Sequence, residues 1–433
     1  MKAGEPFDNT RLGSILLENP LMRQEDIERC LEIQALTGGM RPLGEILIQE
    51  GVISQATLDE LLAIQQARRA QTRGTVVVEG DGPESYLRSA VAHRASDLIM
   101  SEGRCVLIRT GGQLRELTQG PVSAKELFDF VRHRVGSDVM NVLAEGKAVT
   151  REFHEPGVAR GRICVFRHFD GLCVTIRLHP AEVRDPATSG IPNALVQGLN
   201  QGKGMILLTG EVRSGISETF ASLLDLAVRE PNRVVLMLDR DFEAPLPSGP
   251  AIVTRRKIGV DTASYTTGLR AATIEAPDVF FIGDASDVEV FDLALRAAEA
   301  GSLVVTAVRA RTVVSALERI LNGYPAYDVP RVRTSLAAVI NCIAALHLLP
   351  TQDREGMVLA SEVLVLNDAA REIVRTGALT QLNLLMRLES AECGHSLDDS
   401  LLTLVETGRV RFEDAFVRAE DKTRLLQAAQ KRR

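Results

Sequence analysis

The sequence predicts an α/β fold built around a buried parallel sheet. Between residues 191 and 350, four short apolar runs alternate with segments of helical periodicity. These runs are Met205–Leu208, Val234–Leu238, Val279–Ile282 and Leu303–Val308. Continuous apolar runs are typical of strands that are covered on both faces. A glycine-rich turn follows the first run and precedes a helix predicted over Ser217–Val228, which is the strand–turn–helix order of a phosphate-binding fold.

The glycine-rich turn has the frame of a P-loop. Gly210 and Gly215 lie five positions apart, and the hydroxyl of Ser217 follows two positions later. In such a loop backbone N–H groups bind phosphate, a lysine reaches the terminal phosphates, and the hydroxyl ligates Mg²⁺. Ile216 stands where that lysine belongs. Because phosphoryl transfer relies on positioning and charge, the loop is expected to lack the residue that defines the chemistry.

The N-terminal part contains an internal repeat, which predicts a helical tandem-repeat domain over residues 1–68. Apolar spacings of three and four indicate helices in each copy, and the copies are offset by 31 residues. The repeated positions include Leu12, Gly13 and Gln34, which match Leu43, Gly44 and Gln65. Residues 69–83 are expected to form a linker.

Residues 84–185 are predicted to form a small α+β domain ahead of the parallel sheet. Its expected helices are Glu84–Arg94 and Ser123–Leu143, and its expected strands are Cys105–Arg109, Arg162–Phe166 and Leu172–Arg177. Residues 190–355 then form the core domain with the P-loop. Residues 356–433 are predicted to be a C-terminal helical subdomain.

The composition excludes several classes of function. The net charge of −7 disfavours a nucleic-acid partner, since such proteins usually carry a basic stripe. No apolar run reaches 18 residues and the N-terminus has no signal-peptide core, so a cytoplasmic protein is expected. Neither the six scattered cysteines nor the seven histidines show metal-ligand spacing.

Several motifs together resemble the secretion-type motor ATPases of type IV pili and type II secretion, in particular the PilT type. They are Ala95-Ser96-Asp97-Leu98, residues 156–160, Pro277–Asp284, Ala297–Gly301, Ala370–Arg375 and Ser396-Leu397-Asp398. The resemblance covers about residues 84–419 and implies a RecA-like P-loop NTPase core behind a PAS-like small domain. It also implies Mg-ATP as a ligand and a hexameric ring.

The resemblance also implies a site, and this site departs from the family pattern. Its nucleotide-binding residues would be Gly210, Arg213, Ser214, Gly215, Ile216, Ser217, Arg177 and Arg270, its catalytic acids Asp284 and Asp239, and its Mg²⁺ ligand Ser217. Arg213 replaces a glycine, and Asp284 and Asp239 replace glutamates. Two histidines correspond to Ser302 and Arg309, and one arginine corresponds to Ile274. So many losses together predict little or no ATP hydrolysis.

The N-terminal repeat resembles a different module, the tandem RLG (MshEN-like) domain, which binds cyclic di-GMP in its family. The matching positions are Arg11, Leu12, Gly13, Gln34, Leu43, Gly44 and Gln65. Pro42 stands where the second arginine is expected, and Pro20 replaces a glycine of the first copy. The departures leave the predicted fold of the module intact and weaken the prediction of cyclic di-GMP binding.

Three hypotheses follow. The first is a degenerate motor ATPase that acts as a regulatory or structural subunit at the base of a pilus or secretion machine. It would self-associate or join an active paralogue in a mixed ring, contact platform proteins, and lie at the inner membrane through those partners. The second is a working PilT-like retraction motor in which Arg213 replaces the lysine. The third is a cyclic di-GMP receptor on an ATPase-like scaffold.

Overall fold

The computed structural model describes residues 43–54, 57–58, 82–155, 159–179, 190–241, 249–354, 356–388 and 393–430. Most positions predicted to bind a cyclic dinucleotide lie outside these ranges, namely Arg11, Leu12, Gly13, Gln34 and Gln65. The linker and residues 156–158 of the family motif also lie outside them. Leu43 and Gly44 are described, and they are the first two residues of a helix, Leu43–Gln49.

The strands and helices have the following bounds. The strands are β1 Asp97–Ser101, β2 Cys105–Thr110, β3 Gln113–Pro121, β4 Val149–Glu155, β5 Ala159–His168, β6 Gly171–His179, β7 Gly204–Gly210, β8 Val234–Asp239, β9 Ile252–Lys257, β10 Val279–Ile282, β11 Leu303–Val308, β12 Ile340–Pro350, β13 Met357–Val365 and β14 Gly394–His395. The helices after the first are Pro83–Ala92, Ala124–Arg134, Val139–Ala144, Asn193–Asn200, Ile216–Val228, Tyr265–Glu275, Val288–Glu299, Val313–Asn322, Val329–Val339, Asp368–Thr376, Gln381–Leu388, Leu397–Glu406, Phe412–Arg418 and Lys422–Gln430.

The small domain is a six-stranded antiparallel sheet in the order β3-β2-β1-β6-β5-β4. The three strands expected from the sequence are confirmed as β2, β5 and β6, whereas β1, β3 and β4 were not predicted. The helical stretch expected over Ser123–Leu143 is divided into two helices. Gly136 adopts a φ of 114° between them, a conformation that ends a helix.

The core domain is built on an eight-stranded sheet in the order β14-β13-β12-β7-β11-β10-β8-β9. The six strands from β12 to β9 pair in parallel, and β13 and β14 add to the β12 edge as antiparallel strands. The four predicted strands are confirmed as β7, β8, β10 and β11. Strands β9, β12, β13 and β14 were not predicted.

Helices cover both faces of this sheet, as the apolar runs predicted. Along β7, Met205 and Leu207 face one buried cluster while Ile206 and Leu208 face another. The helix Val288–Glu299 packs on the first face and the helix Ile216–Val228 on the second. The alternation follows from the period of two along a strand. The result is the three-layer α/β arrangement of a RecA-like core.

The last three helices pack against the β12–β13 hairpin through an apolar cluster of their own. The side chain of Asp398, almost fully buried, holds the chain between two of these helices. Its carboxylate accepts hydrogen bonds from the backbone N–H groups of Glu420 and Asp421, at 2.9 and 3.0 Å. Within the described ranges, no helix is long and apolar enough to cross a membrane.

Two ion pairs connect the small sheet to the core sheet. Arg162 on β5 lies 2.7 Å from the carboxylate of Asp241, which follows β8. Glu152 on β4 binds the ammonium group of Lys257 on β9. In each pair both side chains retain some exposure, so each contributes modestly to stability. The two pairs fix which edge of the small sheet lies beside β8 and β9.

Candidate nucleotide-binding site

The P-loop turn has the predicted position between a strand and a helix. Strand β7 ends at Gly210, and the helix Ile216–Val228 begins directly after Gly215, its N-cap. Two residues of the turn adopt left-handed backbone conformations, Gly215 with φ 100° and Arg213 with φ 68°. A left-handed conformation costs a non-glycine residue about 1–2 kcal/mol. The backbone therefore explains why glycine is expected at position 213.

Ile216 does not project a charge toward the loop. Its side chain is half-buried and packs against the apolar cluster between the sheet and the helix that it begins. The next residue, Ser217, is exposed and lines a cleft of about 50 Å³ together with Asp239 and Arg255. Typical ligand pockets hold about 300–1,000 Å³. The cleft beside the P-loop is therefore smaller than such pockets in this conformation.

The charged side chains of the turn are paired with other parts of the same chain. The guanidinium of Arg213 lies 3.6 Å from Asp97 on β1 of the small domain. Glu211 lies 3.4 Å from Arg418, near the C-terminus. The hydroxyl of Ser214 is buried and has no hydrogen-bond partner among the described residues. The loop thus contacts the small domain on one side and the C-terminal helices on the other.

Asp239, one of the two predicted catalytic acids, is mostly buried at the end of β8. Its carboxylate accepts hydrogen bonds from the backbone N–H of Arg240 at 2.7 Å and from the hydroxyl of Tyr265 at 3.2 Å. Burial is the main cause that raises the pKa of Asp239 to about 6. A Cβ atom on Gly283 would lie 2.3 Å from the same carboxylate, so a larger residue there would have to displace the side chain of Asp239.

Asp284, the other predicted catalytic acid, follows β10 and is partly exposed. One carboxylate oxygen accepts a hydrogen bond from the backbone N–H of Ser286 at 2.9 Å. The other lies 3.7 Å from the guanidinium of Arg309, which is itself largely exposed. Arg309 occupies a position predicted to be histidine in motor ATPases. The carboxylate of Asp284 therefore faces a cation in this conformation.

Two of the three arginines predicted to bind nucleotide, Arg177 and Arg270, are not in the cleft. Arg177 lies on β6, opposite Asp97 in the register of β1 and β6. Arg270 lies on the exposed face of the helix Tyr265–Glu275 and forms a 2.6 Å ion pair with Glu289. The structure instead brings Arg255 of β9 to the cleft. Burial, and then the neighbouring Arg160, lowers the pKa of Arg255.

The structure therefore brings together Ile216, Ser217 and Asp239 and leaves the arginines of the prediction apart. Sequence reasoning missed Arg255, because the basic end of β9 carries no motif. It also missed the role of Asp97 as a partner of the P-loop, although Asp97 lies in a quoted motif. The geometry retains a strand–turn–helix frame, and the hydroxyl-bearing side chain of Ser217 is exposed.

The model of one protein family, described as "Type II/IV secretion system protein", matches residues 84–417, well over half of the chain. The chain belongs to this family. The match spans the small domain, the core and the C-terminal helices through Val417. It confirms the family resemblance that the motifs predicted.

Curated relatives of this family are similar along most of their length. The twitching motility protein of Neisseria gonorrhoeae is 28% identical over 73% of this chain and 84% of its own length. The type IV pilus retraction ATPase PilT of Pseudomonas aeruginosa is 26% identical over 75% of this chain and 94% of its own. The type IV pilus ATPase PilU of the same organism is 25% identical over 78% of this chain and 88% of its own length.

Solved structures of family members share the fold. The pilus retraction motor PilT with bound ADP has a TM-score of 0.69 and 28% identity, and the match covers 80% of this chain and 100% of that one. The ATPase DotB of Legionella pneumophila has a TM-score of 0.72 and 22% identity, and the match covers 79% of this chain and 98% of that one. These matches confirm the predicted RecA-like α/β fold. The chain is thus a family member that is similar to PilT.

Proposed function

We propose that this chain is a non-hydrolysing member of the pilus and secretion motor family that acts as a regulatory or structural subunit. The observation that carries the proposal is Ile216, which is half-buried and packs against an apolar cluster at the position where a working P-loop presents lysine. Without that cation the loop lacks the charge that binds and stabilises the β- and γ-phosphates.

The rest of the site supports the same conclusion. The guanidinium of Arg213 is directed to Asp97 of the small domain, so it does not replace the missing lysine. Asp284 is shorter than the glutamate of working motors, and its carboxylate lies 3.7 Å from the guanidinium of Arg309. A displacement of about 1 Å at a reacting group costs on the order of 10²-fold in rate. These losses act at separate steps, namely phosphate binding and activation of the attacking water.

Calorimetry with Mg-ATP tests the loss of function directly. We expect the full-length chain to show weak or no Mg²⁺-dependent binding of ATP at millimolar concentration and no release of phosphate. The matched variant is Ile216→Lys, which restores the cation and should strengthen Mg-ATP binding. Micromolar binding and steady hydrolysis by the wild-type chain would contradict the proposal.

The proposed site of action is a motor ring at the cytoplasmic base of a pilus or secretion machine. The chain would form a hexamer or enter a mixed ring with an active paralogue, and would associate with the inner membrane through platform proteins. A subunit that does not turn over should lower the rate of a mixed ring. The test is to titrate the chain into a purified active paralogue. An unchanged ATPase rate and unchanged assembly would argue against this role.

The N-terminal module, residues 1–68, is proposed to dock a partner or bind cyclic di-GMP. The support is the sequence repeat, with Arg11 and Gln34 as the residues that would contact the dinucleotide. Binding of cyclic di-GMP to the full-length chain should weaken in Arg11→Ala and Gln34→Ala. If the chain shows no binding, the module is left with partner docking alone.

One observation favours a second candidate, a slow working motor. Arg255 brings a guanidinium into the cleft next to Ser217 and Asp239, where a cation could contact phosphate. In that case any measured hydrolysis should be lost in Arg255→Gln and Arg213→Ala. Hydrolysis that survives both substitutions would point to a contaminating ATPase.

A further inference from the structure

A second cavity lies at the carboxyl ends of β10 and β11, apart from the P-loop cleft. Its volume is about 660 Å³, and its walls come from the segment after β10, the end of β11 and the helix Val313–Asn322. It shares no lining residue with the P-loop cleft. The volume is within the range of about 300–1,000 Å³ that is typical of small-molecule sites. In open α/β sheets, ligands bind outside the carboxyl ends of the strands.

The side chains around this cavity carry an excess of positive charge. Three arginines line it, namely Arg309, Arg311 and Arg319, against one lining carboxylate, that of Glu318. In the part of the chain that the structure describes, neither Arg311 nor Arg319 has a carboxylate within ion-pair distance, and both are exposed. Guanidinium groups bind phosphate and carboxylate in a bidentate geometry. Two uncompensated guanidinium groups beside one cavity therefore favour an anionic occupant.

The inner wall of the cavity is apolar. Phe291, Val308 and Ile320 line it and are almost fully buried. A bare inorganic anion would use only the arginines and would leave this wall without a contact. A ligand with a phosphate group on a ring or another apolar body would satisfy both surfaces.

We propose that this cavity binds an organic phosphate of nucleotide size, with Arg311 and Arg319 as the phosphate ligands. Binding at this cavity should not need Mg²⁺, because the guanidinium groups supply the positive charge that the phosphate requires. The site goes beyond the proposed function, since it is separate from Ile216 and Ser217. It would allow a family member with a degenerate P-loop to respond to a phosphorylated metabolite.

The test is calorimetric titration of the full-length chain with ADP in the presence of EDTA, and then with inorganic pyrophosphate. The wild-type chain should bind ADP without Mg²⁺, and pyrophosphate more weakly. Arg311→Gln and Arg319→Gln should each weaken ADP binding at least about tenfold, since each removes a charged hydrogen-bond donor. Arg296→Gln is the matched control, because Arg296 is exposed on a neighbouring helix and pairs with Asp292.

Thermal melting of each variant shows whether the fold is retained, and these exposed positions should melt as the wild type does. Three results would overturn the proposal. They are no saturable ADP binding by the wild-type chain, equal binding by Arg319→Gln and the wild type, and binding that appears only when Mg²⁺ is added. The last result would assign the ADP to the P-loop, and would count against the proposed function and not only against this site.

Discussion

Replacing Asp239 by asparagine should change how the stability of the core domain depends on pH. The carboxyl of Asp239 is buried at the end of β8, and this burial raises its pKa from 3.8 to about 6. The hydrogen bonds from Arg240 and Tyr265 favour the ionised form and offset burial only in part. Asparagine has nearly the same shape and keeps an oxygen acceptor, but it does not titrate.

The direction of the pH dependence follows from the pKa of Asp239, which is higher in the folded chain than in the unfolded chain. Because the pKa is higher in the folded chain, protonation of Asp239 stabilises the fold. This contribution is fully present below about pH 4 and is lost as the pH rises from about 4 to about 6. A difference of about 2 in pKa corresponds to about 3 kcal/mol. The wild-type chain should therefore lose about 3 kcal/mol relative to Asp239→Asn between about pH 4 and about pH 7.

Urea unfolding followed by far-ultraviolet circular dichroism measures this difference; the chain has no Trp for a fluorescence signal. The control is Asp129→Asn, since Asp129 is an exposed carboxylate on a helix of the small domain. That variant reports the general effect of one charge on the pH profile. Parallel pH profiles for the wild type and Asp239→Asn would refute the reasoning, because they would mean that Asp239 is solvated or already paired in the folded chain.

Three further substitutions test other features of the fold. Gly283→Ala should destabilise the core by about 1–3 kcal/mol, since its Cβ would meet the carboxylate of Asp239; a melting temperature equal to that of the wild type would contradict the close contact. Arg213→Gly should be about 1–2 kcal/mol more stable than Arg213→Ala. Both variants lose the ion pair with Asp97, and only alanine keeps a Cβ atom in the left-handed backbone conformation. Equal stabilities of the two variants would argue against the φ of 68° at this position. Asp398→Ala should leave two backbone N–H groups without an acceptor and destabilise the C-terminal helices by about 2–4 kcal/mol, measured as faster proteolysis of the C-terminus; unchanged proteolysis would exclude this role.

The sequence predicts the strands that the core buries on both faces, because a continuous apolar run between helices has few other interpretations. Val279–Ile282 and Leu303–Val308 agree with the structure to the residue. Strand β12 was missed, although it is also apolar, because it follows the helix Val329–Val339 without a break. Strand β9 was missed for the opposite reason: it is an edge strand, half-exposed and basic, and has no apolar run to mark it.

The candidate site was predictable only where its residues are close in sequence. The P-loop frame and its missing lysine can be read from residues 210–217. The partners of its charged residues come from distant parts of the chain, since Arg213 meets Asp97 and Glu211 meets Arg418. Periodicity and spacing carry no information on such contacts, which depend on how separate domains dock. Arg255 reaches the cleft for the same reason.

The two ion pairs between the small sheet and the core sheet have opposite polarity. The small sheet supplies the cation in Arg162–Asp241 and the anion in Glu152–Lys257. If the small sheet docked in the reversed orientation, so that each charge met the other pair's partner, arginine would face lysine and glutamate would face aspartate. Because like charges repel each other, the alternating charges favour the observed orientation of the small sheet on the core over the reversed one.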